Sequence, residues 1–477
     1  MQKFDLIVIG GGSGLDIASS AAQQGLKVAI IEKDRMGGTC LNRGCIPSKL
    51  LIHSANIAEI IKNSELFGIN INGYSVDFEK IMNRVNGITN SESDEIKKGL
   101  MQSENPKLFA KECRFVGEKK IAFKTEGKKL ENSGGEEECE IITAEKIVIA
   151  SGSKPIIPKI KGLKEAGYIT SDEALRLKKQ PQVLTIIGGG YVACELAHFF
   201  GSLGTKINII QRNKLLIPQE DEEISQKFTE VFSRKYNIHL GYNTESVLKN
   251  NNTDSNNANT FHTVAKNSSG EILEIDSDQL LVSTGRTSNT ESLGLDKSGI
   301  KVNEKGFIIV DEYLETTMKG VFAVGDVVGK YLFKHNANLE AHYAYNNILH
   351  DSKKISVDYT AMPHAIFSSP QVAGVGLTEQ ELRNKKGTVY LKSTHPYIQT
   401  GMGEAIEDKD GFVKFLVDKS DRKILGCHII GTDASTLIHE VLVAMRTGNG
   451  KIDSITNTIH IHPALSEVIA RAASGID

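Results

Sequence analysis

The feature that most constrains this chain is an internal repeat. LIVIGGGSGLDIASSAAQQGLKVAIIEKD begins at Leu6, and LTIIGGGYVACELAHFFGSLGTKINIIQRN begins at Leu184. Each reads as an apolar strand, a glycine-rich turn, a helix and a second apolar strand, which is the order of a βαβ unit. Two copies predict two separate nucleotide-binding folds. At 477 residues the chain exceeds one core, and roughly 150 residues per domain leaves room for a third. From about residue 356 onward strands give way to helices, which reads as a separate α+β domain.

The turns carry the first chemistry. Gly10 permits a tight bend, Gly12 lets backbone approach a pyrophosphate, and the N–H groups opening the next helix bind its charge. Glu32 ends the second strand, where a carboxylate can accept hydrogen bonds from a ribose. The third glycine position holds Leu15, with Gly14 just before it, so the helix is expected to stand slightly further from the strand. The second unit has Gly188, Gly190 and Ala193 in the three places, and Tyr191 directly follows the turn. Its strand ends in Gln211-Arg212 instead of an acid. A carboxylate there would pair with the free ribose of NADH and repel a 2′-phosphate, so this pair points to NADPH, with NADH the alternative.

Composition excludes other classes. A formal net charge of -3 offers no nucleic-acid or anionic-membrane surface, and the absence of tryptophan argues against a base-stacking platform. No stretch approaches the roughly 20 apolar residues of a membrane span, and the opening MQKFDLIVIGGG has no basic leader region. Six cysteines in so long a chain do not make a disulfide framework, so a cytoplasmic protein with a catalytic disulfide is expected. Two polar tracts, ENSGGEEE from Glu131 and KNNNTDSNNANT from Lys249, read as mobile hairpin tips.

GGTCLNRGCIPSKL places Cys40 and Cys45 five apart, followed by Pro47 and Lys49. Five residues turn an ideal helix about 140° past one revolution, so the sulfurs can bond only across a distorted turn. Such a bridge is strained and easily reduced, which suits a working disulfide. Pro47 fits the first turn of a helix whose N-terminus favours a nearby thiolate. Near the end, IHIHPALSEV supplies His462 and Glu467, a proton-exchanging imidazole and a carboxylate that fixes its tautomer. His460 with His462 lacks the further ligands of a metal site, so no metal is expected. Cys113, Cys139, Cys194 and Cys427 have no evident partners and read as structural or incidental.

Over essentially its whole length the chain resembles the pyridine nucleotide–disulfide oxidoreductases, a family that includes dihydrolipoamide dehydrogenase and the glutathione, mycothione and mercuric reductases. The resemblance implies an α/β architecture of two Rossmann-like domains, for FAD and for NAD(P)H, plus a C-terminal α+β dimerisation domain. The expected segments are 1–153 and 282–355 for FAD, 154–281 for NAD(P)H, and 356–477 for dimerisation. It implies Cys40 as the interchange thiol, Cys45 as the thiol beside the flavin, and Lys49 near the flavin, paired with Glu195. ASGS, holding Ser151 and Gly152, and STGR, holding Gly285 and Arg286, resemble the family's domain-junction segments. Asp326 in VFAVGDVVG would bond the ribityl chain, Tyr191 would shield the flavin, and His462 would complete the partner subunit's site in a homodimer.

CLNxGCIPSK and HPALSE resemble dihydrolipoamide dehydrogenase, whereas Leu15 and Gln211-Arg212 resemble mycothione reductase and other NADPH-dependent branches. Arg43 between the cysteines is unusual for the family and reads as structural or as a contact for an anionic thiol. The ending ARAASGID has no cysteine pair of the mercuric reductase kind. A lipoyl dithiol is therefore the first expected substrate and another small disulfide the second. An oxidase or quinone reductase, and a flavin-binding module without turnover, are the readings from other classes.

Overall fold

The computed structural model describes residues 1–123, 140–250 and 260–476. The acidic tract from Glu131, residues 251–259 of the asparagine-rich tract, and Cys139 lie outside the described residues. The chain forms two compact units. One comprises Met1–Ser48, Met82–Ile156 and Gly285–Asp358; the other comprises Lys49–Ile81, Ile157–Thr284 and Tyr359 to the C-terminal end.

In the first unit, four parallel strands lie in the order Lys107–Phe109, Val28–Ile31, Gln2–Ile9, Ile141–Ile149. Val321–Ala323 joins the last of these in parallel, and Lys120–Phe123 pairs antiparallel with its opening residues. The strand Gln2–Ile9 feeds two cores at once. Leu6 and Val8 pack with Ile17, Ala18 and Ala21 of the helix Gly14–Gln23, while Ile7 and Ile9 pack with Phe109, Phe115 and Ile121. A strand buried on both faces needs apolar residues without alternation, and the run LIVI supplies them.

The second unit holds a parallel sheet ordered Asn237–Leu240, Lys206–Gln211, Val183–Ile187, Gln279–Val282. An antiparallel meander, Tyr242–Asn250, Thr260–Asn267, Ile272–Ser277, is inserted before the last of these strands. The C-terminal part is a five-stranded antiparallel sheet, Pro363–Ile366, Gln371–Gly376, Ile424–Gly431, Phe412–Asp418, Tyr390–Pro396. The helices Ala434–Arg446 and Glu467–Ser474 cover it through Ile438, Val441, Val468 and Ala472. The architecture is α/β, with two dinucleotide-binding folds and an α+β C-terminal domain.

The close approach of the first helix to its strand falls at Gly14, one residue before Leu15. A Cβ at Gly14 would stand 2.6 Å from Val8 Cγ1 and 3.2 Å from Ala150 Cβ, so Gly14 is the residue that lets helix and strand meet.

Candidate active site

At the first turn, Gly10 sits at φ 115°, and a Cβ there would overlap the Ala150 carbonyl oxygen. Glu32 braces the turn: its Oε2 accepts from the Gly11 N–H at 2.7 Å and its Oε1 from the Asp34 N–H at 2.8 Å. The residues present fit a dinucleotide here. Gly12 leaves space, with Gly38 Cα 3.5 Å from where its Cβ would be, and beside Gly10 the buried Ser151 hydroxyl has no partner among the described residues. Gly152, at φ 70°, leaves the adjoining backbone unobstructed. Ser153, within ASGS but not singled out from sequence, donates to Asp326 Oδ2 at 2.5 Å. Arg286 Nε donates to Ser153 Oγ at 2.8 Å and its Nη2 to the Ser153 carbonyl at 2.9 Å, while Gly285 takes φ 112° to make the turn.

The second turn repeats the geometry. Gly188 also has φ 115°, and its Cβ would overlap the Ser283 carbonyl oxygen. Gly190 caps the helix Tyr191–Ser202 and faces open space, and Ala193 is fully buried. Gln211 is buried beneath the turn, whereas Arg212 is exposed. Tyr191 donates its hydroxyl to Glu220, which is 1% exposed, and His364 Nε2 lies 2.7 Å from the other oxygen of that carboxylate. Burial works to raise the Glu220 pKa, but His364 and Tyr191 hold it below the ordinary value. Burial and then the Glu220 charge push the Tyr191 phenol up.

The neighbouring Asp221 caps the helix Glu222–Lys235 and meets Lys414 Nζ at 2.8 Å. Lys414 is fully buried and also reaches Glu379 at 2.6 Å. Sequence gave no signal for Glu220, His364 or Lys414, whose partners are more than a hundred residues away or on another element.

The cysteines sit where two helices break. Gly38–Arg43 carries Cys40, and Cys45 opens Cys45–Asn63. Between them Gly44 has φ -144° and ψ -120°, and a Cβ there would stand 2.9 Å from the Thr39 carbonyl oxygen and 3.3 Å from Cys40 Cα. This break is the distorted turn the spacing requires, and it sets Cys40 and Cys45 at facing helix ends. Hydrogen bonding with Cys45 first, and burial second, hold the Cys40 thiol above its ordinary pKa, against a lowering by Lys334. The remaining described cysteines are unlike this pair. Burial pushes Cys113 up to about 12 and raises Cys194 and Cys427 as well, which leaves inert buried thiols. Arg43 is bonded to Asp34, and although burial opposes it, that contact holds the Asp34 carboxyl below its ordinary value. This favours the structural reading of Arg43.

In the second unit, Lys49 Nζ lies 2.8 Å from both oxygens of Glu195 and 4.5 Å from the centre of the Phe367 ring. The Phe367 N–H donates to Glu195 Oε1 at 2.9 Å, so the carboxylate is held from two sides. Near the C-terminus His462 Nδ1 lies 3.0 Å from both oxygens of Glu467, and the imidazole is 73% exposed. The bond to His462 is the main reason that the Glu467 carboxyl sits below its ordinary pKa. His460 is turned aside to Glu440, at 2.5 Å. Among the described residues no group of three or more His, Cys, Asp or Glu is arranged to hold a metal, and no helix is long and apolar enough to cross a membrane.

Comparison with known proteins agrees with this geometry. Residues 4–343 match the family model described as pyridine nucleotide-disulphide oxidoreductase, and residues 362–473 match the dimerisation domain of the same enzymes. The chain is 35% identical to a dihydrolipoyl dehydrogenase of Chlamydia muridarum over 99% of its own length and 96% of the relative's. It is 33% identical to a mycothione reductase of Mycobacterium tuberculosis over the full length of both. The structure resembles the Cu(II) complex of the HOCl-induced flavoprotein disulfide reductase RclA from Escherichia coli, with TM-score 0.85, 27% identity and 99% of each chain covered. With two glycine-rich dinucleotide turns, a close thiol pair and a dimerisation domain in this order, the chain belongs to the pyridine nucleotide–disulphide oxidoreductases, a family of FAD-binding, NAD(P)H-using enzymes that act on sulfur groups.

Proposed function

We propose that this protein moves two electrons between NAD(P)H and a small disulfide through Cys40 and Cys45, in the manner of a dihydrolipoyl dehydrogenase. The Gly44 break, which sets Cys40 and Cys45 at the facing ends of two successive helices, is the observation that carries the reading. Gly10, Gly12, Gly14, Glu32, Ser151, Gly152, Gly285, Arg286 and Asp326 would hold FAD, with Lys49 and Glu195 as a charge pair serving its ring. Bound flavin would supply the two-electron link between nicotinamide and the disulfide. Gly188, Gly190, Tyr191, Ala193, Gln211 and Arg212 would hold the pyridine nucleotide. The division into FAD, NAD(P)H and dimerisation segments at 1–153, 154–281, 282–355 and 356–477 is part of the same proposal, as is a cytoplasmic setting that keeps thiols reduced.

In the reducing direction, the Cys40 thiolate attacks one sulfur of the substrate disulfide. A mixed disulfide forms, and the departing thiolate takes a proton from an imidazolium. His462, oriented by Glu467, is suited to that task and would serve the partner subunit's pair in a homodimer. Cys45 then attacks the Cys40 sulfur, releases the second thiol and leaves the Cys40–Cys45 disulfide to be reduced again. Reversed, the same steps oxidise a lipoyl dithiol.

A second reading, an NADPH-driven reductase of another low-molecular-weight disulfide, is favoured by Gln211 and Arg212 at the nucleotide strand end. Steady-state turnover with dihydrolipoamide and either oxidised nucleotide, beside small disulfides with NADPH or NADH, separates the two. Cys40→Ser is expected to keep FAD yet lose both activities. Full disulfide turnover in that variant would remove the relay from the mechanism.

A further inference from the structure

Lys334 opens the helix Lys334–Leu349, and its ammonium donates to Ser13 Oγ at 3.0 Å and also to Asn338 Oδ1. Both acceptors are uncharged, and among the described residues no carboxylate forms an ion pair with this lysine. Ser13 directly follows Gly12 and is the N-cap residue of the helix Gly14–Gln23. A serine in that place ordinarily accepts from the first N–H groups of its own helix. Here its side chain makes no such bond, and its oxygen takes the ammonium instead. The first glycine-rich turn therefore carries a fixed positive charge, added to the partial charge of a helix N-terminus. Beside Gly10, the buried Ser151 hydroxyl is without a partner among the described residues. The second turn differs at the equivalent place. Tyr191 directly follows Gly190, and its hydroxyl bonds the buried acid Glu220, which also meets His364.

We propose, on the reading of the first turn as the FAD site and the second as the pyridine-nucleotide site, that Lys334 is the countercharge for the FAD diphosphate and makes the first turn the retaining one. A diphosphate brought against the Gly12 backbone is an anion. An ammonium already held in place by two neutral groups can meet it without first breaking an ion pair. A flavin must stay through every turnover, whereas a nicotinamide nucleotide must leave after each hydride transfer. A cation at one turn and an acid at the other divide those tasks between two backbones of the same φ. Lys334 is thus a binding residue for the cofactor, supplied by a helix more than three hundred residues from the turn it serves.

The test compares Lys334→Met holoenzyme with wild type by the rate at which free-flavin fluorescence appears on dilution, and by the FAD left after gel filtration. FAD release is expected to be about tenfold faster in Lys334→Met and close to wild type in Lys334→Arg. Raised salt should speed release from wild type more than from Lys334→Met, since the interaction removed is a screened charge. On the same proteins, the dissociation constants of NADPH and NADH should stay within about twofold of wild type. Unchanged FAD release in Lys334→Met overturns the proposal, and so does an equal weakening of both dinucleotides, the mark of a general loosening. A wild-type protein that purifies without FAD would instead remove the reading of the first turn, and that failure shows before any variant is made.

Discussion

The two glycine-rich turns share one backbone design and differ at the strand end beneath them. Gly10 and Gly188 have the same φ of 115°, and each backs against a carbonyl from the next parallel strand's end. Beneath the first turn an acidic side chain, Glu32, accepts from the Gly11 N–H. Beneath the second, the uncharged Gln211 amide fills the equivalent space, 3.0 Å from where a Gly189 Cβ would be. On the proposed reading, backbone geometry makes a phosphate site and the strand-end side chain would select the ribose it accepts. The turn is the common device, and the strand end is where the two units differ.

The sharpest way to break the comparison is to fill one turn at a time. Gly10→Ala and Gly188→Ala each force a Cβ onto a carbonyl at positive φ, at a local cost of about 2–6 kcal/mol. Gly188→Ala is expected to retain FAD, seen in the visible spectrum, and to lose nucleotide binding by titration. Gly10→Ala is expected to lose the flavin. A smaller change makes the selectors alike. Gln211→Glu should shift the ratio of kcat/KM for NADPH over NADH towards NADH by about ten- to a hundredfold. An unaltered ratio would show that the strand end is not the selector.

The smallest expected effect concerns the carboxylates behind the second turn. Burial opposes it, but Lys414 and then Arg383 hold Glu379 down at about 2, below its ordinary value of 4.5. A depressed carboxylate contributes its stability in full above the ordinary value and loses it as pH falls through the folded one. Thermal melting should therefore decline between about pH 4.5 and 2, and Glu379→Gln should show a shallower decline over that window.

What could be read from sequence follows from how local each signal is. The repeat, both turns and the five-residue cysteine spacing are encoded within short windows, and His462 lies only five residues before Glu467. The family resemblance was needed to pair Lys49 with Glu195, because 146 residues separate them. Ser153 with Asp326, Glu220 with His364 and Lys334 with Ser13 left no periodic or spacing signal, since each contact exists only once distant elements pack. Leu15 shows a different limit. The motif template draws attention to the third position, whereas the close contact with the strand that the structure shows is at Gly14.

Lys414 gives the second unit a further property. Its charge comes from the C-terminal sheet, and one of its anions, Asp221, comes from the helix cap that follows the nucleotide strands. Exchanging either part for a foreign counterpart without the matching charge would strand an ion in dry protein, which typically costs about 3–5 kcal/mol. The nucleotide lobe and the C-terminal sheet are thus a single heritable cassette, and recombination within it is tolerated only where lysine and carboxylates travel together.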